Sequence, residues 1–181
     1  MIKDPIFDNY KRVLSQQRLV LETLFLSSLA AIEESSNRPR LGDWSEDIVE
    51  AFHESAVNAY AQQIYAGCLF LILDRWIRSL ATDLGLQKED RLDAGELVGK
   101  TPLSRLVWAT ANNFRHYKEW KQKPRDSELS VQALNAAGLY GDILDDIYAA
   151  DVLRIISPLN YDDLEQKILK IATELRAKIQ Q

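Results

Sequence analysis

With 181 residues the chain is about one domain long, and 46% hydrophobic residues suffice to fill a core. The net charge of −5 excludes the overall basic balance of a general nucleic-acid binder, while leaving room for a local basic patch. Only seven glycines and five prolines occur, too little turn punctuation for a strand-rich fold, so helices are expected.

A lone cysteine, Cys68, rules out a disulfide within the chain and points to a reducing, cytoplasmic setting. It sits in "YAGCLFLIL" and reads as a small core residue rather than a nucleophile. The N-terminus lacks the apolar core of a signal peptide. The longest apolar run is about nine residues, against roughly 20 needed to span a bilayer, so no membrane association is expected.

Asp4-Pro5 reads as a helix start, with Asp as N-cap and Pro in the first turn. Ile6, Tyr10, Val13, Val20, Leu24 and Ala31 then recur near the helical period, predicting a first helix to about Ser35. "SNRPRLGDW" breaks it. Asp43 with Glu46 reads as a capping box for a long second helix ending near Gly85, apolar on nearly every side of its middle. "GLQKEDRLDAGELVGK" reads as a polar loop. Thr101-Pro102 repeats the cap-then-proline signal for a third helix to about Lys121. "SELSVQALNAAG" predicts a short fourth helix ending at Gly138. "DILDDIYAADVLRII" starts as a helix, but its "VLRII" end also suits an extended strand. Asn160 caps a last helix through "DDLEQKILKIATELRAKI". The sum is one all-α domain over residues 1–181: an antiparallel bundle of about four to six helices, the first two long.

The stretch "ANNFRHYKEW", residues 111–120, carries the most chemistry. On a helix, Asn112, His116 and Glu119 share one face, Trp108 extends the row, and Arg115 lies beside it. Leu103, Val107, Phe114 and Tyr117 form the apolar stripe opposite. Histidine suits proton transfer near neutrality, and a guanidinium can grip phosphate in a fork. "RHYKEWKQKPR" gathers Arg115, Lys118, Lys121, Lys123 and Arg125 against Glu119 alone, with Tyr117 and Trp120 available for stacking. The same residues also suit a solvated helix end, where cations complement the dipole. Asn112, Arg115 and His116 equally suit a structural brace, with Arg115 pairing Glu119.

Asn112-x-x-x-His116 in this setting resembles the HEPN superfamily, all-helical domains many of which are metal-independent RNases. The family places arginine before the polar residue; here Ala111 stands there, and Arg115 supplies the guanidinium. The resemblance implies a catalytic set of Asn112, Arg115 and His116. His116 would be the acid-base, Arg115 the phosphate contact and Asn112 the orienting group. Lys118, Glu119, Trp120 and Lys121 would bind substrate. It further implies RNA or a nucleotide as ligand, a homodimer that completes a composite site, and an antitoxin protein as partner. No cofactor is expected. A non-catalytic module whose polar face meets a partner or a second copy is the alternative.

Elsewhere, Glu50-x-x-His53 matches half of a di-iron pattern, but its second copy is absent, so no metal site is expected. Neither a phosphate-binding glycine loop nor a nucleophile elbow occurs.

Overall fold

The computed structural model describes residues 5–36, 46–120, 124–139, 148–157 and 160–179, and side chains within them except at 30–55 and 117–127. It is all-α. Seven helices appear among these residues: α1 (Pro5–Ser36), α2 (Glu46–Asp83), α3 (Lys88–Leu92), α4 (Leu103–Trp120), α5 (Pro124–Ala136), α6 (Ala149–Ile156) and α7 (Tyr161–Lys178). A two-residue hairpin, β1 (Leu97–Val98) and β2 (Thr101–Pro102), precedes α4. Its strands pair antiparallel, Leu97 opposite Pro102 and Val98 opposite Thr101.

The long helices begin and end close to where periodicity places them. Asp4 and Asp43 lie outside the described residues. α2 closes with Gly85 at φ +71°: the Gly85 amide donates to Thr82 and the Leu86 amide to Ala81, satisfying terminal carbonyls in a Schellman turn. α5 ends likewise at Gly138, as expected. Asn160 caps α7, its side-chain oxygen accepting from the Asp163 amide at 2.8 Å.

Two expectations need correction, and one open reading is decided. The segment read as a polar loop carries α3, with Arg91 and Leu92 buried, and then the hairpin. Thr101-Pro102 does not cap a helix: Thr101 pairs in β2 and its hydroxyl donates to the Ala133 carbonyl. α4 is instead started by backbone, its Leu103 and Ser104 amides donating to the carbonyls of Glu96 and Ala94. "VLRII" is helical, in α6, with Val152, Leu153 and Ile156 buried.

α2 is the central element and contacts α1, α3, α4, α6 and α7. α1 runs antiparallel to it, since Tyr10 near the start of α1 donates to Asp83 at the end of α2, at 2.6 Å. The Trp76 indole donates to the Tyr10 carbonyl at 3.2 Å. α7 lies along α1, where Arg18 pairs with Asp162 and Glu165. The shared core includes Leu21, Phe25, Leu69, Phe70, Leu73, Ile77, Leu106 and Leu164, all buried. α2 and α4 approach so closely at Gly67 that an added Cβ would lie 2.1 Å from the Phe114 ring. Although its longest unbroken apolar run is short, Ala56–Asp83 holds an 18-residue window of mean hydropathy 1.3, which by length and composition alone is apolar enough to cross a membrane.

Candidate functional site

α4 is built to display one face while burying the other. Leu103, Leu106 and Val107 are buried, and Phe114 packs on α2. Asn112 is half-buried and Arg115 exposed on the side facing α3 and the end of α2. There a cleft of about 570 Å³ opens, lined by Arg78, Lys88, Arg91, Trp108, Asn112 and Arg115 among others. That volume lies within the ~300–1,000 Å³ of small-ligand sites.

Four cationic side chains thus converge from three elements: Arg78 from α2, Lys88 and Arg91 from α3, and Arg115 from α4. Among the described residues, one carboxylate pairs with two of them. Asp74, 2% exposed, accepts from Arg78 at 2.6 Å and from Arg91 at 3.1 Å. Arg91 is itself 7% exposed, and burial lowers its pKa, an effect that neighbouring Asp74 opposes. Among the described side chains, these four cations and Asp74 sum to three net positive charges in an acidic chain. Clefts walled by low-dielectric protein focus such a field on an anion.

Asn112 sits between two partners. Its amide donates to the Ser130 hydroxyl of α5 at 3.3 Å, and its carbonyl accepts from Arg115 at 3.4 Å. Both contacts are long for N–H···O bonds, so a better acceptor could displace them. The adjacent Asn113 does a different job. Fully buried, it accepts from the Tyr148 amide at 3.1 Å, while Gln63 accepts from Ala150. These two side chains, from α4 and α2, satisfy amides at the start of α6. Trp108 belongs to the polar row by spacing yet is 9% exposed, with the Lys88 ammonium 5.1 Å from its ring centroid.

His116 follows Arg115, is half-buried and makes an interaction of its own. It is not among the residues lining the cleft. Lys118, Glu119 and Trp120 lie in the last turn of α4, but their side chains fall outside those described, as do Glu50 and His53 in α2. Lys121 lies outside the described residues. The cleft therefore joins Asn112 and Arg115 to three cations that the sequence had not connected with them. Lys88 and Arg91 were hidden because their segment looked like a loop. Their spacing of three within "KEDR" was the available signal.

Trp108 is covered within its own chain. Exposed apolar side chains lie on α1, at Leu19, Val20 and Leu26, and on α2, at Val57 and Tyr60.

No protein-family model, curated protein or solved structure matches the chain.

Proposed function

We propose that the chain is a HEPN-like protein that binds RNA, holding backbone phosphate in the cleft between α2, α3 and α4. The observation that carries this reading is the convergence of Arg78, Lys88, Arg91 and Arg115 on one cleft of an acidic chain. Arg115 is exposed and offers a bidentate fork, and Asn112 beside it offers an amide donor to a phosphate oxygen. Cleavage would need a proton acceptor for the 2′-hydroxyl and a donor for the leaving 5′-oxygen. His116, one residue beyond Arg115, is the group we assign to that transfer, with a second copy supplying the complementary histidine. The test pairs RNA cleavage with thermal unfolding for wild type, His116→Ala and Arg115→Lys. Proton transfer by one side chain is typically worth about 100- to 10,000-fold, so His116→Ala should abolish cleavage at little change in melting temperature. Arg115→Lys should impair it too, because an ammonium cannot reproduce the fork.

A second reading has its own observation. Asn112 already bridges Arg115 and Ser130, which is what a brace between α4 and α5 would show. On that reading the wild type cleaves nothing, and Asn112→Ala and His116→Ala each lose roughly 1–3 kcal/mol of stability through unsatisfied partners.

A further inference from the structure

A second cavity, of about 360 Å³, adjoins the cationic cleft. Lys88 and Trp108 line both, so the two spaces share a wall. Their chemistry differs. The cleft is walled by guanidinium groups, whereas the second cavity has Leu92, Leu129, Ala133 and Ala136 on its walls, beside the Trp108 indole. At its edge stand Gln132, an amide with a donor and an acceptor, and Glu89. Arg105, also at this cavity, is paired with Asp93, so part of the positive charge here is already neutralised.

We infer that the two spaces form one bipartite nucleotide site, with phosphate in the cationic cleft and an unstacked base in the second cavity against Trp108. This inference rests on the phosphate-binding reading and adds to it the class of ligand: a single strand whose bases are free to splay out. A fully paired duplex holds its bases in the stack and cannot fill an apolar cavity this way. Lys88 joins the two halves. Its ammonium now lies over the indole, where cation–π attraction holds it without an ion-pair partner of its own among the described residues. A phosphate in the cleft offers that ammonium a full negative charge, and its move uncovers the ring for the base. Gln132 reads the base edge, its exposed side chain now engaged, among the described residues, with Glu128 one turn away.

The test holds charge constant and varies the bases. Hexa-adenylate and the same hexamer built of abasic residues carry equal phosphates, and both are titrated against the full-length chain by fluorescence anisotropy. Stacking one base on an aromatic side chain is worth about tenfold or more in affinity, so hexa-adenylate should bind at least about tenfold tighter. Ala136→Leu, which fills the second cavity, should remove most of that difference while leaving the abasic hexamer unaffected. Gln132→Leu, at an exposed position, should narrow the difference and covers a folding failure of the first variant. Equal binding of the two hexamers by wild type would overturn the base site and leave phosphate binding standing. So would a difference untouched by both variants. No binding of either hexamer would overturn both.

Discussion

The most heavily loaded contact behind the cleft is the carboxylate of Asp74, and Asp74→Asn perturbs it with little change of volume. Asp74 is 2% exposed, and its two oxygens accept from Arg91 at 3.1 Å and from Arg78 at 2.6 Å. Arg78 is half exposed and can turn to water, so losing that half of the pair costs about 0–1 kcal/mol. Arg91 is 7% exposed and cannot turn away as easily. Removing one partner of a buried ion pair typically costs about 3–5 kcal/mol. Because Arg91 borders the cleft, water can reach its edge, and a smaller loss, about 2–3 kcal/mol, is expected. Urea unfolding followed by circular dichroism reads the loss, and a cycle with Arg91→Met isolates it. In the Arg91→Met background no Arg91 charge is left to be stranded, and Arg78 can turn to water, so Asp74→Asn should cost under about 1 kcal/mol there. A loss equal in both backgrounds, or a loss under about 0.5 kcal/mol in the wild type, would refute the assignment of Asp74 as the group that anchors Arg91.

Gly67→Ala should destabilise by up to about 2 kcal/mol: overpacking against Phe114 costs about 1–3 kcal/mol, against a helix-propensity gain of ~1 kcal/mol. A rise in melting temperature would show that α4 has room to move away. Asn160→Ala should cost about 1 kcal/mol by removing the cap of α7, whereas Asn160→Ser should restore most of it; equal stability of all three would remove the cap from the account. Burial raises Tyr161 to about 12, and burial with the Asp83 hydrogen bond raises Tyr10 to about 12. A raised folded value stabilises fully below the ordinary value near 10, and that stability is lost as pH climbs toward 12. Tyrosinate absorbance should therefore keep rising toward pH 12, and Tyr161→Phe should remove part of that late rise; a titration complete well below pH 12 contradicts the burial argument.

What the sequence made legible follows from length and locality. The 3.6-residue period identifies α1, α2, α4 and α7 because each runs at least 18 residues, enough turns for the pattern to stand out. Asn160 was readable because its cap is a contact three residues away. α3 was not, since five residues make little more than one turn and show no period. "VLRII" was ambiguous because a short apolar run fits a buried helix as well as a strand, and burial of Val152, Leu153 and Ile156 against the bundle decided for helix. The site divides the same way. Asn112 and Arg115 share a face by spacing alone, whereas Arg78, Lys88 and Arg91 join them only through packing of α2, α3 and α4. Asn113 went unnoticed beside Asn112, since its role at α6 rests on a partner 35 residues away.

The central claim is that the cationic cleft holds phosphate of a single strand, and the salt dependence of RNA binding tests it most directly. Single strands release about 0.7 counterion per phosphate neutralised, so three net charges should give a slope of about −2 in log affinity against log salt. Arg115→Ala should reduce the magnitude of that slope by about 0.7, with binding weakened uniformly across sequences. A slope near zero, or one unchanged by Arg115→Ala, would contradict the assignment of this cleft as the phosphate site.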